Sequence, residues 1–125
     1  MIIGIGCDIV QIPRIEAIYL KFGMKFLCKI FSTVELEYIP SHNLISYIAK
    51  RYAAKEAFSK AIGLGIGQKF QFKTIEILKD HETGRPYFSN STLTHLGTQS
   101  NFSAHLSMSD DPPIAIANVI LCRSN

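Results

Sequence analysis

His42-Asn43-Leu44-Ile45-Ser46-Tyr47-Ile48-Ala49-Lys50-Arg51-Tyr52-Ala53-Ala54-Lys55-Glu56-Ala57-Phe58-Ser59-Lys60-Ala61-Ile62 contains neither glycine nor proline, which predicts one long helix. Ser41 precedes it as a candidate cap and Gly63 follows it as a left-handed stop. At about 100° per residue, Ile45, Ile48, Ala49, Tyr52 and Ala53 share a face with Glu56, and Lys60 lies one turn further on. Tyr47, Ala54, Phe58 and Ala61 form a second apolar stripe on nearly the opposite side, so the helix is to be covered on both faces. Glu56 is then a carboxylate on an apolar stripe and needs a partner. Lys60 follows it in the favourable i,i+4 order, yet an exposed pair of that kind contributes only about 0.3–0.5 kcal/mol. Burying an ion costs several kcal/mol. A cation held jointly with Asp8 explains the pattern, since two hard carboxylate ligands suit Mg2+ completed by waters and phosphates. A structural ion-pair network explains it as well.

Upstream of the helix, residues 1–10 read as a strand rich in Ile and Val, and Pro13 suits the first turn of a helix that stops at Phe22 before Gly23. A short helix follows over 24–31. Ser32-Thr33-Val34-Glu35 matches a capping box, and Pro40 ends that helix. Along the first strand Ile3, Ile5, Cys7 and Ile9 are expected to face the core, with Gly4, Gly6 and Asp8 on the other side. Two glycines on one face suggest the close approach of a helix or a ligand, with Asp8 at its edge; plain packing plus a helix cap is the simpler reading. Downstream, residues 70–78 alternate as a strand ending in a turn over 79–84, and another strand follows Pro86. Residues 102–108 and 114–122 form a hairpin across Asp110-Asp111-Pro112-Pro113. The fold class is α+β: one N-terminal strand, a helical block with one long central helix, then an antiparallel meander, in a single domain over 1–125.

Composition narrows the function. The chain has 125 residues, 47% hydrophobic and 18% charged, more apolar surface than a lone domain of this size readily hides, which predicts a homo-oligomer. Neither a membrane span nor a signal peptide is expected. Cys7, Cys28 and Cys122 show no metal or redox spacing and read as buried free thiols of a reducing cytoplasm. The net charge of +3 favours an acidic or phosphate-bearing partner. Arg14, Lys21, Lys25 and Lys29 make either a solvated face or a dock for an acidic protein. Gly63-Leu64-Gly65-Ile66-Gly67 is neither a Walker loop nor a dinucleotide fingerprint; it is a helix stop whose amides, with Lys55, Lys60 and Lys69, could meet a phosphate. Thr83-Gly84-Arg85-Pro86 reads first as a hairpin turn and second as a phosphate-binding arginine. His42, His81, His95 and His105 have no metal spacing, and His105 is expected to face solvent.

Gly4-Ile5-Gly6-Cys7-Asp8-Ile9-Val10 with Arg14-Ile15, and Arg51-Tyr52-Ala53-Ala54-Lys55-Glu56-Ala57-Phe58-Ser59-Lys60-Ala61 with the Gly63–Gly67 run, resemble the holo-acyl-carrier-protein synthase family of short, trimeric bacterial 4′-phosphopantetheinyl transferases. Ile30-Phe31-Ser32-Thr33-Val34-Glu35-Leu36, Gly84-Arg85-Pro86 and Leu106-Ser107-Met108-Ser109 resemble further family blocks in the same order, so the resemblance spans nearly the whole chain. It implies Mg2+-dependent transfer of 4′-phosphopantetheine from coenzyme A to a serine of apo acyl carrier protein, with release of adenosine 3′,5′-bisphosphate. On the residues it implies that Asp8 and Glu56 bind Mg2+ and that Glu56 and Lys60 are catalytic. Glu56, directly or through a metal-bound water, would help remove the serine proton. Lys60, Gly63, Gly65, Gly84, Arg85 and Pro86 would bind coenzyme A, and Arg14 would help dock the carrier protein. A cytoplasmic homotrimer with the site near a subunit interface, serving fatty acid biosynthesis without nucleic-acid or membrane partners, completes the implication. The sequence departs from the family pattern at Asp110, where a histidine is common, and at Pro40-Ser41-His42-Asn43, where basic residues are common. The competing reading is an RNA- or nucleotide-binding module without catalysis. Phe70 and Phe72 are the only closely paired strand aromatics for it, and no RNP-like or GXXG signature accompanies them.

Overall fold

Strand β1 (Ile2–Gln11) runs directly into helix α1 (Ile12–Phe22), with Pro13 in its first turn and Gly23 at its end, in a computed structural model that describes residues 1–63, 70–97 and 101–124. Helix α2 (Met24–Ile30) and the one-turn helix α3 (Thr33–Leu36) follow, the latter held by the expected reciprocal capping box of Ser32 and Glu35. Helix α4 (Leu44–Ala61) is the long central helix. It starts two residues later than the sequence suggests. Asn43, in a left-handed conformation at φ 52°, precedes it, and Ser41 does not cap it. Gly63, at φ 77°, supplies the stop.

The second half departs from a single meander. The long strand expected over 70–78 is only β2 (Ile77–Lys79), preceded by a 3-10 turn at Phe72–Thr74. The alternation arises because Phe70, Ile75 and Ile77 are buried, while the Phe72 ring stacks on Tyr52 at 4.9 Å and its carbonyl is taken by Lys55. The burial switches parity between Phe72 and Ile75, across the 3-10 turn, so the segment does not continue as one strand. Strand β3 (Pro86–Phe88) pairs with β2 as a two-stranded sheet. Helix α5 (Asn90–Thr94), capped by the Ser89 hydroxyl, was not anticipated. Strands β4 (Asn101–Asp111) and β5 (Ile114–Ser124) form the expected hairpin, and β1 adds antiparallel to β5, giving the order β1-β5-β4.

Small residues set how the layers meet. Ala115, Ala117, Val119 and Leu121 of β5 are buried under α4, and the neighbouring glycines of β1 face the same helix. A Cβ added at Gly4 would lie 1.9 Å from the Ala61 carbonyl oxygen, and one at Gly6 would lie 1.8 Å from that of Ala57. Only glycine fits there. The two faces of β1 are therefore the reverse of the expectation: the glycines look inward, and Ile5 and Ile9 are 68% and 62% exposed on the outside. A strand's apolar face seeks cover, and within this chain the cover lies on the other side. The cysteines are free as expected but not buried, since Cys7 and Cys28 are exposed and Cys122 is half-buried.

Lys55 is the polar hub of the core. Fully buried, its Nζ donates to the Ile30 carbonyl at 2.7 Å, to Glu35 Oε1 at 2.7 Å and to the Phe72 carbonyl at 3.0 Å. Glu35 also accepts from the amides of Ser32 and Ile77, each at 3.0 Å. Burial pushes Lys55 down to about 8, against the pull of Glu35. All three lysine donors and both carboxylate oxygens are used, which is the condition for a buried ion pair to be tolerated. Lys55 is therefore turned into the core and does not join Lys60 toward a phosphate.

Candidate functional site

Asp8 sits near the end of the inward face of β1, and the close contact between β1 and α4 brings Lys60 to it. Lys60 Nζ donates to Asp8 Oδ1 at 2.9 Å and to the Cys7 carbonyl at 3.0 Å. This replaces the Glu56–Lys60 pair that i,i+4 spacing suggests, because the strand offers the ammonium two acceptors where the helix offers one. The bond to Asp8 holds the Lys60 pKa above its ordinary value. Glu56, half-buried, has no ion-pair partner among the described residues. Burial raises its pKa above the ordinary carboxylate range and the charge of Asp8 raises it further, with Lys60 and Arg14 pulling the other way. Arg14, in the first turn of α1, also pulls down the pKa of Tyr52, one helical turn before Glu56, against the burial that raises it.

The structure thus gathers Asp8, Arg14, Tyr52, Glu56 and Lys60 from three elements. Two like charges are held near each other, one of them partly desolvated and without an ion-pair partner among the described residues. That arrangement stores an unfavourable interaction that a divalent cation would relieve. Among the described residues no third His, Cys, Asp or Glu joins them, so such an ion would take its remaining ligands from water or substrate oxygens.

A second feature is a basic cleft of about 800 Å3 between the N-terminal half of α4, the β2–β3 hairpin and β4. Gly84, Arg85 and Pro86 meet there as a group, with Lys50, Arg51 and Lys79 as further cations and Asp80 as the opposing charge. Gly84 turns the hairpin at φ 74°. Gly63 is exposed beyond α4, while Gly65 and Lys69 lie outside the described residues. Neither Asp8, Glu56 nor Lys60 lines the cleft. The cleft wall at Leu106–Met108 belongs to β4 and Asp8 to β1, the two opposite edges of the sheet.

The sequence reading missed Arg51. It is buried, its guanidinium carbon lies 3.8 Å above the Tyr47 ring, and its Nε has no hydrogen-bond partner among the described groups. Burial lowers its pKa. An unsatisfied, desolvated guanidinium in the wall of a basic cleft is a costly arrangement unless an anion completes it. The available signal was its place at the head of the Arg51–Ala61 block.

A third feature is an apolar pocket of about 320 Å3 lined by Ile18, Phe22, Phe26, Ile30, Tyr52 and Phe72, with Lys25 and Lys29 on its rim. Tyr52 connects this pocket to Glu56. The basic residues of α2 therefore border an apolar hollow, whereas Arg14 and Lys21 of α1 do not line it.

These features, a glycine-faced strand carrying Asp8 packed on a helix carrying Glu56, belong to a transferase fold that comparison with known proteins identifies. Residues 4–117 match the 4′-phosphopantetheinyl transferase superfamily, and the chain belongs to that family. A protein of Wolbachia pipientis called holo-acyl-carrier-protein synthase is 43% identical over 126 residues, covering 98% of both chains. The crystal structure of the synthase of the same name from Neisseria meningitidis superimposes with a TM-score of 0.86 at 39% identity, over 97% of this chain and 98% of that one. The Bacillus anthracis synthase, solved in complex with CoA (3′,5′-ADP), gives 0.80 at 35% identity, over 100% and 99%. Membership in this enzyme family takes the place of the reading as a non-catalytic RNA-binding module. Among the described residues no helix is long and apolar enough to cross a membrane.

Proposed function

We propose that residues 1–125 act as one catalytic unit, a holo-acyl-carrier-protein synthase that transfers 4′-phosphopantetheine from coenzyme A to a serine of apo acyl carrier protein. The observation that carries this is the partly buried Glu56 beside Asp8, without an ion-pair partner among the described residues, with Lys60 fixed on Asp8. The serine oxygen forms a bond to the phosphorus that bears the pantetheine arm. The bond from that phosphorus to the bridging oxygen breaks, and the bridging oxygen leaves on adenosine 3′,5′-bisphosphate. Glu56 receives the serine proton, a task suited by a carboxylate whose pKa is raised toward the working pH. Lys60 holds Asp8 in place and offers its ammonium to the departing phosphate. Asp8 and Glu56 would hold Mg2+, which when bound supplies charge neutralisation of the diphosphate, the dominant need in phosphoryl chemistry.

The basic cleft, with Gly84, Arg85 and Pro86 and the unsatisfied Arg51, is assigned to the nucleotide end of coenzyme A. Gly63 and Gly65 are assigned to the same end on the resemblance of their loop. The apolar pocket with Lys25 and Lys29, flanked by Arg14, suits an amphipathic acidic helix of the carrier protein. Because the cleft and the acidic pair lie at opposite sheet edges, one copy's cleft serves its neighbour's carboxylates in a homotrimer. The exposed outer face of β1 supports this: Ile5 and Ile9 form an uncovered apolar stripe beside Ile120 of β5, as a subunit contact requires. A cytoplasmic role in fatty acid biosynthesis follows from that substrate. The test is mass spectrometry of apo carrier protein incubated with the enzyme, coenzyme A and Mg2+. Addition of the prosthetic arm, abolished by EDTA and by Asp8→Asn or Glu56→Gln, is expected. No addition with the wild-type protein would refute the assignment.

A further inference from the structure

Lys50 does not face the cleft freely. Its Nζ lies 3.4 Å from Asp110 Oδ1, both side chains being a little over a quarter exposed, at 29% and 28%. Asp110 is two residues beyond Met108, which closes the cleft on the β4 side, and it alternates inward with Met108 and Leu106 along the strand. The cleft's cations thus divide. Arg51 has a buried nitrogen waiting for an acceptor, whereas Lys50 is already engaged by a carboxylate that stands at the rim.

We infer that Asp110 tunes the affinity of the cleft for phosphate groups. It draws Lys50 aside, lowers the positive potential, and so weakens the hold on phosphate groups and speeds release of the spent nucleotide. Such a pair is worth little to the fold, since ion pairs this exposed contribute about 0–1 kcal/mol. Its negative charge still acts on a ligand: a carboxylate about 10 Å from a phosphate dianion, in largely aqueous surroundings, changes affinity roughly twofold at about 50 mM salt. The inference rests on the nucleotide end of coenzyme A occupying this cleft.

Calorimetric titration with adenosine 3′,5′-bisphosphate tests it, using the intact protein and the variants Asp110→Asn, Lys50→Gln and the double variant, in about 50 mM and about 500 mM salt. Asp110→Asn is expected to bind roughly twofold more tightly at low salt, with the gain shrinking at high salt. Lys50→Gln is expected to lower affinity more in the Asp110→Asn background than in the wild-type one, because only there is the lysine free. Binding to all four proteins with equal affinity, or weaker binding by Asp110→Asn, would overturn the inference while leaving the cleft assignment intact. No binding by any of them would overturn both. Circular dichroism melts within about 1 °C of wild type, in line with the small worth of the pair, show that the fold is not what changed.

Discussion

Replacing Gly6 by alanine puts the closest packing in the molecule under test. The new methyl would lie 1.8 Å from the Ala57 carbonyl oxygen, 2.8 Å from its carbon and 2.9 Å from the Ala61 nitrogen, where ordinary contact begins at 3.4 Å. Every one of these atoms is helix backbone, so no side chain can swing aside. Strand β1 must back off α4 by roughly 1.6 Å, or the helix must deform. Overpacking that side chains can absorb costs about 1–3 kcal/mol, and rigid backbone on both sides places this case at or above the top of that range. Alanine returns about 0.4–1 kcal/mol by restricting the unfolded chain. A net loss of about 2–3 kcal/mol remains, a large share of a typical 5–15 kcal/mol. It lowers Tm by about 10 °C. Asp8 is two residues along the same strand, so the same displacement carries it from Lys60, now at 2.9 Å. A misplacement of that size costs about 100-fold in turnover. Urea unfolding and carrier-protein modification are measured together, with Ser103→Ala on the exposed outer face of β4 as a reference within about 0.5 kcal/mol of wild type. A Gly6→Ala protein within 1 kcal/mol of wild type and fully active would refute the packing account.

Glu56→Gln should raise the Tm of the metal-free protein while abolishing transfer. A carboxylate whose folded pKa is raised contributes stability below its ordinary pKa and loses it as pH rises through the raised one, so at pH 7 the charge is a burden; a fall in Tm would contradict this. Lys55 works in the opposite sense of titration. Its folded pKa near 8 lies below the usual 10.5, so the cost of burying its charge is fully present below about pH 8 and is relieved above it. Urea midpoints of the wild type should therefore rise from about pH 8 to 9.5, before the tyrosines ionise, and a flat or falling profile would count against the desolvated lysine. Ile5→Asp, on the outer stripe of β1, should leave the chain folded but reduce its sedimentation coefficient to that of a monomer, with transfer lost because the composite site is divided. A variant that still sediments as the wild type would place the subunit contact elsewhere.

What could be read from the sequence is what depends on neighbours in the chain. The Ser32–Glu35 capping box, the Pro13 helix start, the Gly63 stop and the β4–β5 hairpin are settled by interactions a few residues long, and they stand as expected. The glycines of β1 were also legible as a place of close approach. Which way the strand faces was not, because an apolar stripe indicates that cover is needed and is silent on whether the same chain supplies it. Ile3, Ile5 and Ile9 look like core residues of this chain and are instead its uncovered exterior.

The same distinction separates the polar residues whose placement was legible from those whose placement was not. Asp8 and Glu56 announce themselves locally, one at the end of a glycine-faced strand and the other on an apolar helical stripe. Lys55 and Arg51 sit on the same helix without any such sign. Lys55 is buried because Glu35, the Ile30 carbonyl and the Phe72 carbonyl converge on it from 17 to 25 residues away, and no periodicity encodes that meeting. Arg51 is legible only once the Tyr47 ring and the cleft are in view. Lys60 shows the principle most sharply: the helix offers it Glu56 at the standard spacing, and it takes Asp8 and the Cys7 carbonyl from a strand more than 50 residues earlier. That choice leaves Glu56 without an ion-pair partner among the described residues. The raised pKa of Glu56 is therefore a product of tertiary packing, through two glycines that let a strand come close enough to draw a lysine away.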